Sequence, residues 1–150
     1  MKSQETLLPR TPHGSWPETI AVGDALPELR IPITATLIVT GAIATRDFQK
    51  VHHDKDVAVA AGTKDVFMNI LTTNALVNRY VGEWAPAAHV KRINIRLGAT
   101  NFPGDEMVFS GSVESVLDGQ IRVLATGTNS LGTHVTASID LAFPTRKETA

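Results

Sequence analysis

The sequence has 150 residues, a net charge of −1 and no cysteine. A chain of this length can bury the core of one domain, and its balanced charge, with no run of Lys or Arg, argues against a nucleic-acid or lipid-headgroup surface. The lack of cysteine excludes disulfides and thiolate metal sites, and the first 20 residues hold no apolar stretch long enough for a signal peptide, so we expect a cytoplasmic protein.

Proline marks the first part of the chain as irregular or extended. Residues 1–21 are polar and rich in proline, which predicts a flexible N-terminal tail. The segment Leu26–Ile33 combines apolar residues with proline, a pattern typical of a strand at the edge of a sheet, because proline removes a ladder donor. We therefore predict a single domain over residues 22–144 and a short C-terminal tail over residues 145–150.

Two helices are predicted before the middle of the chain. The β-branched residues of the stretch 36–47 are compatible with a strand, but no two-residue alternation continues past Ile43, which favours a helix. A polar loop follows. Asp54 is then placed to cap a short helix over Lys55–Ala61, which Gly62 would end.

The longest predicted helix covers Asp65–Trp84. This stretch has no proline, and its apolar residues occupy most of the circumference at 3.6 residues per turn. A helix of this length spans about 30 Å. We expect Asp65 to cap it. Asn and Thr side chains interrupt the apolar run, so we expect the rest of the chain to enclose this helix and no membrane to do so.

From Val90 onward the sequence shows the alternation of half-buried strands. Four strands are predicted, and Asp118-Gly119 is typical of a tight hairpin turn. Their apolar face can curl around the long helix, and a fifth strand from Leu26–Ile33 can complete the sheet. We predict an α+β protein with a single hotdog fold, in which a curved antiparallel sheet wraps a long central helix. The open sheet edge predicts pairing with a second copy or a related chain.

The polar stretch after residue 46 contains the main candidates for a catalytic pair, a carboxylate and an imidazole. Asp47 and His52 are five residues apart, and on a continuous helix they would point about 140° apart. They can meet only if the chain turns at residues 49–50. Asp47 would then follow a helix C-terminus, where the dipole makes a carboxylate more basic. Spacing alone leaves open whether His52 or His53 pairs with it, and whether this is a catalytic pair or a solvated loop.

The other histidines and a possible metal site carry less information. Three histidines are isolated in the sequence and are expected to be surface or structural residues: His13, His89 and His134. A metal site made of His52, His53 and Asp54 lacks a further ligand at suitable spacing, so we expect no metal.

The string DFQKVH, residues 47–52, resembles the D-x-N-P-[LIV]-H motif of the MaoC-like (R)-specific enoyl-CoA hydratases, a hotdog family. Asp47 matches the aspartate of that motif, Val51 its apolar residue and His52 its histidine. In the family these two polar side chains hold one water, which the aspartate activates for attack on C3 of a trans-2-enoyl thioester while the histidine helps protonate C2. The resemblance extends over about Val22–Phe143, including the FPGD turn at 102–105, and implies that Asp47 and His52 are catalytic.

Departures from the family motif point to a narrower group. Arg46 replaces a glycine, Gln49 an asparagine and Lys50 a proline, and the usual His-Gly at the start of the central helix is missing. Segments such as GTKD-F-NILT and NSLG-HVTA resemble the small MaoC-like subunits of actinobacterial steroid (cholesterol) side-chain hydratases. That resemblance implies a steroid enoyl-CoA substrate with a three-carbon side chain, hydration at ring carbon 17, a heterotetramer with a larger MaoC-like and zinc-ribbon subunit, and a later aldolase step.

Further groups are assigned from position. The backbone N–H groups of Val66 and Phe67, in the first turn of the predicted long helix, are expected to bind the thioester oxygen because these amides are free and lie at the positive end of the dipole. Three cations either contact coenzyme A phosphates or form a solvated strand face: Lys91, Arg92 and Arg96. No cofactor is expected, since coenzyme A is part of the substrate.

Two other functions are compatible with a hotdog fold. An acyl-CoA thioesterase or a dehydratase of fatty acid synthesis typically has a carboxylate within the central helix, and the stretch Val66–Asn78 has none. A non-catalytic subunit remains an alternative, because two positions of the motif are substituted.

Overall fold

The computed structural model of the protein describes residues 6–7 and 19–143. The elements in chain order are β1 (Thr6–Leu7), β2 (Thr19–Ile20), β3 (Ala25–Ile33), α1 (Ala35–Ala44), a 3₁₀ turn (Lys50–His52), α2 (Lys55–Ala60), α3 (Ile70–Trp84), β4 (His89–Leu97), β5 (Asp105–Leu117), β6 (Gln120–Asn129) and β7 (Gly132–Ala142). The predicted tails at 1–21 and 145–150 lie mostly or wholly outside the described residues. Within the first, β1 pairs with β2, and the Ile20 side chain is buried.

Five strands form one antiparallel sheet in the order β3-β5-β6-β7-β4. The four strands predicted in the second half of the chain are all present, and β3 supplies the predicted fifth strand by pairing with β5. Asp118 and Gly119 join β5 to β6 with φ values of 49° and 75°. Two successive positive φ angles are what a two-residue hairpin turn needs to match the strand twist, which explains the Asp-Gly pair.

One face of the sheet is apolar and packs against α3. The buried residues alternate along the three central strands: Met107, Phe109, Val113, Ile121, Val123, Ala125, Val135, Ala137, Ile139 and Leu141. From α3, Leu76, Val77, Tyr80 and Val81 enter the same core, and the Tyr80 ring stacks on Phe109 with the centroids 5.2 Å apart. The predicted α+β layout, a long helix against an antiparallel sheet, is therefore confirmed.

The helices differ from the prediction mainly in where they begin. The stretch predicted as a helix over 36–47 is helical over Ala35–Ala44, and Asp54 caps α2 by accepting a hydrogen bond from Val57 N–H at 3.3 Å. The prediction that the long helix begins at Asp65 is wrong, because Asn69 is the N-cap and the helix starts at Ile70. Within the described residues no helix combines the length and apolar character required to cross a bilayer.

Candidate active site

Asp47 lies directly after the C-terminal end of α1. The helix ends with two reversed hydrogen bonds, from Arg46 N–H to the Ile43 carbonyl at 3.0 Å and from Asp47 N–H to the Ala42 carbonyl at 2.9 Å. This pattern is a Schellman motif, whose penultimate residue adopts a left-handed conformation. Arg46 has a φ of 58° and occupies that position. The end of α1 therefore fixes the backbone of Asp47. Arg46 stands where the family motif has a glycine, and the left-handed conformation of this position explains why glycine is usual there.

His52 lies in the short 3₁₀ turn that follows. The residue is buried, and its ring stands edge-on to the Phe67 ring, with the centroids 4.9 Å apart. The Nδ1 atom is 2.7 Å from the Phe67 carbonyl oxygen, which can only accept, so Nδ1 carries a hydrogen and donates. The remaining ring nitrogen, Nε2, is therefore the one that can exchange a proton.

The turn at residues 49–50 brings the two predicted residues together. Asp47 Oδ2 is 3.4 Å from His52 Nε2, and the two side chains are 18% and 8% exposed. When the ring is protonated, Nε2 donates to the carboxylate. In that state a water can donate to a carboxylate lone pair that His52 leaves free, and when the ring is neutral, a water that donates to both facing acceptors satisfies them. The pair is thus able to hold one water and to move a proton at Nε2.

Asn69, which sequence reasoning missed, completes the site. Its amide Nδ2 donates to Asp47 Oδ2 and to Thr45 Oγ1, each at 3.0 Å. Its Oδ1 accepts from Thr72 N–H at 2.9 Å and so caps α3. The side chain is 2% exposed. An asparagine directly before a helical run is a cap signal in the sequence, but nothing in the sequence shows that the same amide reaches residue 47.

The Asp47 carboxyl is held in its ionised form. Its pKa is lowered, first by the hydrogen bond from Asn69 and then by the Gln49 N–H and the nearby His52, while burial acts in the opposite direction. The prediction that the helix end would make this carboxylate more basic is therefore wrong. The hydrogen bonds that stabilise the charged form outweigh the opposing effect of burial.

Val66 and Phe67 lie ahead of α3 and not in its first turn. Val66 N–H already bonds to the Asp65 side chain at 2.8 Å, and the Phe67 carbonyl accepts from His52. Within the described residues no acceptor is recorded for the amides of Phe67, Ile70 and Leu71. Whether Val66 and Phe67 bind a thioester stays a prediction.

The other titratable residues are separate from the pair. His53 is exposed, and its Nε2 is 3.3 Å from the Phe48 carbonyl, whereas the nitrogen that approaches Asp47 is Nε2 of His52. His134 is 3% exposed and links β7 to α3 through Thr73 Oγ1 at 2.8 Å, which makes it the structural histidine that was expected. His89 is exposed, and His13 is outside the described residues. No cluster of three or more potential metal ligands occurs in the described part of the chain.

The three cations of β4 are not assembled around the pair. Arg96 lines a groove of about 730 Å³ on the sheet face opposite to α3, together with Thr136 and Ser138. Arg92 is in register with Asp140, whose side chain forms an ion pair with Arg122 at 2.6 Å on the same outer face. Lys91 is also exposed on this edge strand. These exposed positions are compatible with the solvated strand face, and contact of the three cations with coenzyme A phosphates stays a prediction.

Comparison with known proteins identifies the family. The family model described as the MaoC like domain matches residues 20–134. The chain belongs to the MaoC-like family. This MaoC-like chain is also 53% identical, over 123 residues, to the 3-oxo-4,17-pregnadiene-20-carboxyl-CoA hydratase beta subunit of Mycobacterium tuberculosis. The match covers 81% of the chain and 95% of that relative.

Solved structures confirm the predicted hotdog fold. The crystal structure of the ChsH1-ChsH2 complex from Mycobacterium tuberculosis matches with a TM-score of 0.81 and 52% identity, over 83% of this MaoC-like chain and 98% of the matched chain. The (R)-hydratase from A. caviae involved in PHA biosynthesis matches with a TM-score of 0.76 over 83% of the chain and 98% of its own. Its identity of 16% supports the shared fold alone.

Proposed function

We propose that the chain is the small subunit of an enoyl-CoA hydratase that adds water to the trans-2-enoyl thioester of a steroid side chain. One observation carries the proposal: Asp47 Oδ2 and His52 Nε2, the polar pair of the family motif, approach within 3.4 Å in a partly enclosed site. The 53% identity to a subunit named as a steroid carboxyl-CoA hydratase supports the substrate class.

Asp47 and His52 take opposite parts in the reaction. The ionised Asp47 carboxylate accepts a proton from the bound water as the water oxygen forms a bond to C3. The C2–C3 double bond opens toward the thioester, and His52, protonated at Nε2, delivers a proton to C2. The reaction adds the elements of water across the C2–C3 bond and transfers no other group. Coenzyme A therefore enters only as part of the substrate, and no cofactor is required.

The short distance between the two residues also restores the site. After addition, Asp47 holds a proton and His52 has lost one. A proton that passes from Oδ2 to Nε2 across 3.4 Å, directly or through the next water, returns both groups to their starting states. Because Nδ1 is committed to the Phe67 carbonyl, the ring receives and releases protons at the same nitrogen.

The thioester oxygen needs backbone donors near this pair. Phe67 N–H is the first candidate donor, since it has no acceptor within the described region. Val66 N–H is the weaker of the two predicted donors, because it already donates to the Asp65 side chain. The amides of Ile70 and Leu71 at the start of α3 are further donors. These donors would stabilise the negative charge that develops on the thioester oxygen.

Exposed apolar side chains adjacent in sequence to the site suit an apolar acyl group. Phe48 follows Asp47 and is 66% exposed, and Ile70 and Leu71 follow Asn69 and are 50% and 46% exposed. Side chains of this kind lose water contact favourably against a steroid ring system, which supports the predicted substrate over a short straight-chain acyl group.

We propose that a larger MaoC-like subunit covers the β4 edge, in a heterotetramer with two copies of each chain. The two sheet edges differ. Both edge strands have one register shift, but β3 contains Pro27 and Pro32, which protect an edge, whereas β4 runs for nine residues without proline. On β4, Val90 and Leu97 are 37% and 40% exposed. The match to a chain of a two-component complex supports a hetero-oligomer. A cytoplasmic location, and a later aldolase step, remain part of the proposal.

The test is a hydration assay on the chain co-purified with the larger subunit from the native host. We expect loss of the enoyl-thioester absorbance with a steroid enoyl-CoA that carries a three-carbon side chain, and little turnover of crotonyl-CoA. Release of free coenzyme A thiol would indicate a thioesterase. Full activity in a complex that carries Asp47→Asn would assign the chain a non-catalytic role.

A further inference from the structure

Every polar hydrogen and acceptor of the Asn69 amide is engaged. The two Nδ2 hydrogens go to Asp47 Oδ2 and Thr45 Oγ1, and Oδ1 accepts from Thr72 N–H. A flipped amide would point Nδ2 at the Thr72 donor and Oδ1 at the Asp47 carboxylate, and both contacts would be repulsive. The amide therefore has one orientation, and only an asparagine both donates and accepts at these distances.

Asn69 is held between two helices that approach closely. A Cβ atom at Gly41 of α1 would overlap the Thr72 hydroxyl of α3, so the Thr72 side chain packs directly on the α1 backbone at this point. The Thr45 hydroxyl donates back to the Gly41 carbonyl at 2.8 Å and thereby presents a lone pair to Asn69. The amide is thus anchored to the end of α1 and to the start of α3 at the same time.

We propose that Asn69 is a positioning residue for the hydration reaction, which orients the Asp47 carboxylate while it caps α3. This inference rests on the proposed function. Among the described residues, Asp47 Oδ1 accepts the long 3.3 Å bond from Gln49 N–H, so the shorter bond from Asn69 to Oδ2 is the one that fixes the orientation of the carboxylate. With Oδ2 fixed toward His52, the remaining lone pairs face the place of the water.

The decisive variant is Asn69→Ser. A serine keeps an oxygen that can cap α3, but it is shorter and has no amide to donate to Asp47. Asn78→Ser is the matched control, because Asn78 is an exposed asparagine on the same helix. Asn69→Asp keeps the size and the cap and places a second carboxylate against Asp47, so it tests the same contact with the opposite electrostatic sign.

We expect Asn69→Ser to lower kcat by about tenfold to a hundredfold with little change in KM, since misplacement of a reacting group by about 1 Å has an effect of this size. Removal of the donor raises the Asp47 pKa, so the acid limb of the pH–rate profile should move to higher pH, and further in Asn69→Asp. Asn78→Ser should match the wild type. The measurement uses the assembled complex.

A titration of the Asp47 carboxyl separates this inference from the proposed function. Aspartate-specific ¹³C labelling of the full chain reports the Asp47 pKa whether or not the complex hydrates any substrate. A higher Asp47 pKa in Asn69→Ser supports the positioning role, even when the substrate assignment fails. An unchanged titration and an unchanged acid limb, with only a lower melting temperature, would show that Asn69 is a helix cap and nothing more.

Discussion

Replacing His52 with asparagine separates the functions of its two ring nitrogens. The amide of the new side chain lies near the position of Nδ1, so it can still donate to the Phe67 carbonyl, which accepts at 2.7 Å in the wild type. It places no atom at Nε2, which is 3.4 Å from Asp47. His52→Asn should therefore keep the buried hydrogen bond and abolish proton transfer.

The size of each effect follows from these contacts. General acid–base transfer contributes typically 10²–10⁴-fold, so we expect kcat to fall by about that factor in His52→Asn. His52→Ala should lose the same activity and also leave the Phe67 carbonyl unsatisfied, at a cost of about 1–3 kcal/mol. For a chain of this length that corresponds to a melting temperature lower by roughly 2–12 °C. The two variants should thus be alike in rate and different in stability.

Steady-state rates on the steroid enoyl thioester, with thermal unfolding followed by circular dichroism, measure both quantities. His53→Asn is the control, because that ring is exposed and faces the Phe48 carbonyl. Since Asp47 and His52 act on one water, the double variant Asp47→Asn/His52→Asn should be about as slow as the slower single variant. Wild-type activity in His52→Asn, or rate losses that multiply in the double variant, would refute the shared-water geometry.

Three further outcomes follow from the packing around the site. Arg46→Gly should raise the free energy of unfolding by about 0.5–1 kcal/mol in urea titrations, because glycine relieves the left-handed backbone at φ 58°. Gly41→Ala should lower it by about 1–3 kcal/mol, since the new methyl group overlaps the Thr72 side chain. Burial lowers the pKa of His134 below its ordinary 6.5. Its neutral form therefore stabilises the fold above about pH 6.5, and this contribution is lost as the pH falls toward the folded-state pKa, a dependence that His134→Gln should flatten.

The strand half of the fold was predictable because its signals are local. The alternation of buried and exposed residues in β5, β6 and β7 follows from the two-residue period, and the Asp118-Gly119 turn requires positive φ angles that few other residues adopt. The sheet edge of β3 was equally readable from its prolines. These patterns depend on neighbours in sequence, so one chain is enough to read them.

The start of the long helix was not predictable, because two residues carry the same local signal. Asp65 and Asn69 are both good cap residues, and the apolar stretch between them fits a helix. Tertiary contacts decide between them. Met68 N–H donates to the Asn101 carbonyl at 3.1 Å, and Lys55 forms an ion pair with the Asp65 carboxylate at 3.1 Å. With these groups engaged, the chain is not helical before Ile70. Neither partner is close in sequence, so no local pattern reports these contacts.

The sequence was enough to predict which two residues form the candidate pair, but not the direction in which the pKa of Asp47 is shifted. Position after a helix C-terminus suggested a more basic Asp47, yet its pKa is lowered, first because the Asn69 side-chain amide donates a hydrogen bond to the carboxylate from the start of a second helix. Asn69 is the cap of that helix and the leading cause of the shift. The sequence separation of 22 residues between Asp47 and Asn69 explains why the donor was missed.

The same contacts tie the reacting carboxylate to the core. His134 donates from Nδ1 to the Ala99 carbonyl at 2.6 Å, so its neutral Nε2 accepts from the Thr73 hydroxyl at 2.8 Å and fixes the first turn of α3 against β7. Asn69 precedes that turn and reaches Asp47. A continuous series of hydrogen bonds therefore runs from the sheet through α3 to the carboxylate. The His134–Thr73 link is buried, and the links to Ala99 and to Asp47 are partly buried. A shift of α3 against the sheet therefore changes the direction of the Asp47 oxygens, and we expect the rate of water addition to depend on core packing as well as on the pair itself.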